Sequence, residues 1–149
     1  MALQSPVDLV KDPHAGKILP VVTAAIFHQG KVLLFRRRKP PYNGYWELAG
    51  GCLELNERLE EAARREVEEE AGFSSGDVER VAFASLFEFL LPNNYHRILF
   101  CYAFEVSHDN VIVTEHDECE WFSPDSLPEP LIPFVKEEVA AAVKVLGKH

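Results

Sequence analysis

Eight glutamates fall between Gly51 and Phe73, in the stretch GCLELNERLEEAARREVEEEAGF. On a helical wheel with Leu59 at zero and about 100° per residue, Ala62, Ala63 and Val67 lie within roughly 80° of Leu59. Glu66, Glu69 and Glu70 fall in the same arc, at about −20°, −80° and +20°. Glu60, Glu61, Arg64 and Glu68 point elsewhere. Like charges this close repel, and partial burial adds a desolvation penalty. A cation between them relieves both costs. Hard oxygen donors at i, i+3 and i+4, without His or Cys beside them, suit Mg²⁺ or Mn²⁺ rather than zinc. Mg²⁺ keeps part of its water and is completed by substrate phosphates, so metal-assisted attack on a phosphorylated substrate is the chemistry to expect. Arg65 stands where it can hold a neighbouring carboxylate by bidentate pairing. A solvated helix in an acidic protein is the competing reading of the same residues.

The rest of the chain must position this segment. Gly50 and Gly51 allow close approach of backbone to a ligand and are expected to stop a short strand, Tyr45–Leu48. The acidic helix is expected to begin near Asn56 as N-cap and to end at Gly72. Leu19–Phe27 and Lys31–Phe35 read as strands of a hairpin turning at His28-Gln29-Gly30. Val78–Leu91 and His96–Val106 form a second hairpin around Pro92-Asn93-Asn94. Val111–Val113 and Cys119–Phe122 read as short strands, and Pro133–Leu146 as a closing amphipathic helix. Strands with two helices on a mixed β-sheet predict an α/β/α sandwich. Residues 1–17 read as a loose N-terminal arm, and 18–149 as one domain.

Composition narrows the class. A hydrophobic fraction of 47% with 26% charged residues is that of a globular protein. The net charge of −9 disfavours a DNA or RNA duplex as partner. No apolar run of transmembrane length is present, and Met1 to Leu19 does not read as a signal peptide. Cys52, Cys101 and Cys119 lack metal-site spacing and read as reduced thiols of a cytoplasmic protein. Around the acidic segment, Arg37 in the run Arg36–Lys39 can meet substrate phosphates, while the rest of that run reads as a solvated strand end. Tyr42, in a Pro-Gly loop, can stack on a base, whereas Trp46 reads as core. His96, on the second hairpin, is a further candidate for substrate contact, with an ordinary exposed histidine as the competing reading. Phe83, Phe87 and Phe89, at even spacing, are expected to share a core face with Phe100.

Gly51, Glu57, Arg65, Glu66, Val67, Glu69, Glu70, Gly72 and Phe73 stand at the fixed positions of the Nudix box, which the segment resembles. The resemblance covers roughly Pro20 to Leu146. It departs at Ala49, Asn56 and Arg58, where Pro, Gly and Ser or Thr are common, and these touch loop conformation more than metal ligands. It implies a Nudix fold and hydrolysis of a nucleoside diphosphate derivative by water attack at phosphorus. Glu66, Glu69 and Glu70 then resemble metal ligands together with the Gly51 carbonyl, and Mg²⁺ is the expected metal, with Mn²⁺ able to substitute. Glu57 resembles the glutamate that supports the site, and Arg65 the arginine that orients Glu66. A carboxylate outside the box is expected to act as base or extra ligand. Glu118 is preferred for that role over Glu115, with a box glutamate also open. The expected reaction is MutT-like, a nucleoside triphosphate giving a monophosphate and pyrophosphate. An ADP-ribose or nucleotide-sugar pyrophosphatase is the alternative, and a non-catalytic nucleotide-sensing module the more distant one. A homodimer is compatible with the resemblance.

Overall fold

The computed structural model describes residues 14, 16–92, 94–112 and 118–147. Most of the expected N-terminal arm, and Glu115, lie outside these residues. The chain runs through β1 (Ile18–His28), β2 (Lys31–Arg36), β3 (Trp46–Glu47), β4 (Ala49–Cys52), α1 (Leu59–Ala71), β5 (Val78–Leu91), β6 (Tyr95–Val106), β7 (Cys119–Phe122) and α2 (Val135–Val145). One mixed sheet takes the order β3-β2-β1-β6-β5, with β4 added to β1 and β7 to β2. Both expected hairpins form, with His28 opposite Lys31 and Leu91 opposite Tyr95. In the first, Gln29 and Gly30 both have positive φ, 50° and 80°. Two such residues turn the chain with a twist that matches the flanking strands. β1 lies parallel to β6, from Ile18 opposite His96 to Phe27 opposite Glu105.

Alternation along β1 supplies two cores. Val22, Ala24 and Ile26 pack with Leu33, Phe35 and Phe104 under Ala62, Ala63, Val67 and Ala71 of α1. Ala25 and Phe27 face the other way, with Val32, Leu34, Cys101 and Ala103 against Val135, Val139 and Ala142 of α2. A helix on each face makes the α/β/α sandwich. Strand β2 is covered on both sides, so four consecutive residues, Val32 to Phe35, are buried.

Four expectations change. Val111 and Ile112 of the expected Val111–Val113 strand are not in a strand, and Val113 lies outside the described residues. Gly50 and Gly51 do not stop a strand: they lie within β4 and pair with Thr23 and Val22 of β1. Helix α1 is capped at Arg58 rather than Asn56, because Asn56 takes a left-handed φ of 68° in the preceding turn. The Phe83–Phe89 row is broken by a register shift between Phe83 and Ser85. A bulge inserts one residue and reverses the parity of the strand. Phe83 is therefore 47% exposed, whereas Phe89 is buried and Phe87 stacks on Phe134 with ring centroids 4.9 Å apart. Phe100, paired with Leu86, lies on the face opposite Phe87 and Phe89.

Candidate active site

Helix α1 projects its carboxylates unequally. Glu66 and Glu70 occupy the middle of the buried stripe at 8% and 4% exposure, while Glu69 lies at its rim and is exposed. The offsets of the helical wheel account for this: the two residues nearest the apolar axis are buried and the third reaches solvent. The helix ends at Gly72, whose φ of 82° suits glycine and whose N–H donates to the Glu68 carbonyl at 2.9 Å.

Arg65 binds this array together. Its Nε donates to Glu57 Oε2 at 2.7 Å and its Nη2 to Glu57 Oε1 at 3.0 Å. Nη1 donates to Glu66 Oε2 at 2.8 Å and to Glu69 Oε1 at 3.3 Å. Nη2 also reaches the Cys52 carbonyl at 3.2 Å, tying the helix to the end of β4. The fork on Glu57 holds that carboxyl below the usual carboxylate range. Glu70 Oε2 accepts a hydrogen bond from the Gly50 N–H at 2.8 Å. Burial, followed by a hydrogen bond with Glu66, pushes the Glu70 carboxyl well up. Glycine at position 51 leaves the Glu66 carboxylate in place, because a Cβ there would overlap it.

Among the described residues no three His, Cys, Asp or Glu side chains converge into a ready metal cage. The donor set nevertheless fits a hard divalent cation. Glu66 and Glu70 are two buried carboxyls in contact that cannot both ionise unaided, and the Arg65 guanidinium supplies positive charge to Glu66 and Glu69. A divalent cation at this position would hold both buried carboxyls ionised.

On the α2 side of the sheet, a cavity of about 420 Å³ opens beside Gly50 and Gly51. That volume suits a small organic ligand. Arg37 and Tyr42 line it. Arg37 is held by Glu47 Oε1 at 2.9 Å and by the Pro41 carbonyl at 2.6 Å. Tyr42, with φ 67°, packs on Tyr45 and Phe89 at 5.0 and 6.2 Å between ring centroids. His96 is not among the lining residues, since it points to the opposite face of β6, with Nε2 3.8 Å from Glu88. Strand alternation turns its neighbours inward instead: Tyr95 and Arg97 line the cavity, with the Arg97 guanidinium 3.9 Å above the Tyr95 ring. Glu118 also lies outside the lining, 3.6 Å from Arg36 Nε and 45% exposed.

Glu138 and Thr23 were not singled out by the sequence reading. Glu138 is 2% exposed and lines the cavity from α2, and Thr23 Oγ1 donates to its Oε2 at 2.7 Å. Burial pushes the Glu138 carboxyl up to about 7, partly offset by the Thr23 hydrogen bond. The signal lay in the spacing: position 138 falls on the stripe of Val135, Val139 and Ala142, where a charged residue has no packing reason to be.

Fold and site define a class, and the NUDIX domain family model matches residues 17–143. The chain belongs to the NUDIX family and is a hydrolase acting on phosphorus-containing anhydrides. It is 34% identical to an RNA pyrophosphohydrolase of Caulobacter vibrioides, covering 83% of this chain and 84% of the relative. It is 32% identical to a CTP pyrophosphohydrolase of Escherichia coli, over 78% and 85% of the two chains. Among solved structures, a MutT NUDIX hydrolase from Burkholderia pseudomallei superposes with a TM-score of 0.76 at 29% identity, covering 84% of this chain and 98% of that one. No helix among the described residues is long and apolar enough to cross a membrane.

Proposed function

We propose that the protein is a Mg²⁺-dependent pyrophosphohydrolase that cleaves a nucleoside triphosphate to the monophosphate and pyrophosphate. The observation that carries this reading is the Arg65 hub, which gathers Glu57, Glu66 and Glu69 beside the Gly50–Gly51 strand that lines the cavity. In this reading Glu66, Glu69, Glu70 and the Gly51 carbonyl hold the metal, Glu57 and Arg65 orient them, and Arg37 and Tyr42 receive the substrate. When bound, Mg²⁺ would stabilise charge on the phosphoryl oxygens and lower the pKa of a coordinated water. The water oxygen bonds to one phosphorus of the α,β-anhydride, the bridging P–O bond breaks, and the electron pair leaves on the bridging oxygen with the departing group. Glu69, exposed at the rim of the buried stripe and 3.3 Å from Arg65, is the carboxylate assigned to take the proton. Glu118 is held against Arg36 instead.

One relative named a CTP pyrophosphohydrolase and another named an RNA pyrophosphohydrolase support this reaction over nucleotide-sugar cleavage. The charge of −9 favours a small nucleotide over a long polyanion. Three free thiols suit a reducing compartment, and cytoplasmic location is part of the same reading. A panel of nucleoside triphosphates, ADP-ribose and nucleotide sugars, assayed with Mg²⁺ and with EDTA, tests it. Release of pyrophosphate from a triphosphate, abolished by EDTA and restored by Mg²⁺ or Mn²⁺, is expected. Cleavage of ADP-ribose alone, or metal-independent turnover, would overturn it.

A further inference from the structure

Glu138 is a buried carboxyl in the wall of the cavity, on the opposite side of the sheet from the α1 carboxylates, and the hydrolytic chemistry does not use it. Packing does not account for it. Its neighbours on α2, Val135, Val139 and Ala142, are apolar, and an apolar side chain there would avoid the cost of burying a carboxyl. Thr23 occupies one acceptor site of about four that a carboxylate offers, so the group keeps capacity for a ligand. Another part of the wall is aromatic and cationic, with Tyr42, Phe89, Tyr95 and Arg97. A flat, polar-edged ring suits a cavity lined by both aromatic side chains and a hydrogen-bonding carboxyl.

We propose that Glu138, held by Thr23, determines specificity by accepting a hydrogen bond from the exocyclic amino group of a cytosine or adenine base. This rests on the nucleotide reading of the cavity. A carboxyl oxygen facing an exocyclic N–H makes a bond, whereas the same oxygen facing the keto oxygen of uracil or hypoxanthine, which carry no amino group, meets a second acceptor. Oε2, which accepts from Thr23, behaves as the carbonyl oxygen of a neutral carboxyl, and Oε1–H then donates to the ring nitrogen beside the amino group. Thr23 is a positioning residue, fixing which oxygen accepts.

Calorimetric binding of CMP, UMP, AMP and IMP to the full chain tests this without relying on turnover. CMP and AMP are expected to bind the wild type at least about tenfold more tightly than UMP and IMP, the lower range of discrimination by a paired base edge. In Glu138→Gln, whose amide can present a donor to a keto oxygen, the preference should fall to within about threefold. Thr23→Val should weaken the preference as well, and serves if the first variant does not fold. Equal binding of the four by the wild type, no binding, or an equal loss on all four with the preference retained in the variants would overturn the assignment. A preserved preference for amino bases together with no triphosphate cleavage would leave the assignment standing and reject the pyrophosphohydrolase reading instead.

Discussion

Arg65 grips Glu57 with a two-point fork, Nε to Oε2 at 2.7 Å and Nη2 to Oε1 at 3.0 Å, while its Nη1 reaches Glu66 at 2.8 Å. Glu57 lies in the turn before α1 and Glu66 in the second half of the helix, so one guanidinium fixes loop and helix together. Planarity is what allows it, because an ammonium could meet only one of these partners in a comparable geometry.

Arg65→Lys should therefore lower kcat by about tenfold to a hundredfold, the scale on which loss of an orienting partner weakens metal sites. Steady-state kinetics across Mg²⁺ concentrations checks this. The apparent Mg²⁺ requirement should rise with the loss, and an unchanged requirement would mean that Arg65 serves stability alone.

The two adjacent glycines of β4 should fail in different ways. A Cβ on Gly50 would come 2.6 Å from the Val22 carbonyl oxygen and 3.2 Å from Thr23 Cα, both backbone atoms that cannot easily move. Gly50→Ala should cost about 1–3 kcal/mol of stability, the usual range for overpacking. A Cβ on Gly51 would meet the Glu66 carboxylate, which can turn aside, so Gly51→Ala should retain most of its stability and lose activity. Thermal melting and turnover, measured on both variants, separate the two effects.

Glu70→Gln should leave the metal-free protein about as stable as the wild type. Burial and Glu66 hold Glu70 protonated without metal, and an amide resembles that neutral form. Turnover should nevertheless fall by about a hundredfold. Added Mg²⁺ should raise the melting temperature of the wild type, since a ligand bound only by the folded state stabilises it, and should raise that of the variant less. Equal shifts for both proteins would remove Glu70 from the metal site.

The stability of the metal-free protein should depend on pH through Glu138. Its folded-state value, about 7, lies above the ordinary 4.5, so its stabilising contribution is complete below about pH 4.5 and is lost as pH rises through about 7. The melting temperature of the wild type should fall across this interval. In Glu138→Gln that component of the fall should be absent, and a curve parallel to the wild type would assign the pH dependence to other groups.

Tyr42→Ala should raise KM for a nucleotide by about fivefold to a hundredfold if the ring stacks on the base, given roughly 1–3 kcal/mol per stacked base. kcat should change much less. A loss confined to kcat would place Tyr42 in loop ordering rather than in substrate contact.

The sequence by itself determined the elements whose information is local. Helix α1 followed from apolar spacing and Gly72, both hairpins from their turn residues, and the carboxylate array from spacing at i, i+3 and i+4. Even the graded burial of Glu66, Glu70 and Glu69 is a property of one helix and its angular offsets. The cavity was decided elsewhere. It joins β1, the loop before β3, the start of β6 and α2, and the Thr23–Glu138 bond spans 115 residues. No short window contains such a pair. Strand parity was equally out of reach: a bulge between Phe83 and Ser85 turned Phe83 outward, and the phase of β6 sent His96 to one face and Arg97 to the other. Period-two alternation tells which residues lie on the same face only once register is known, and register is set by the partner strand. The carboxylates that can hold a metal were thus legible in one segment, whereas the groups that can choose a substrate came together only when distant strands and α2 closed around them.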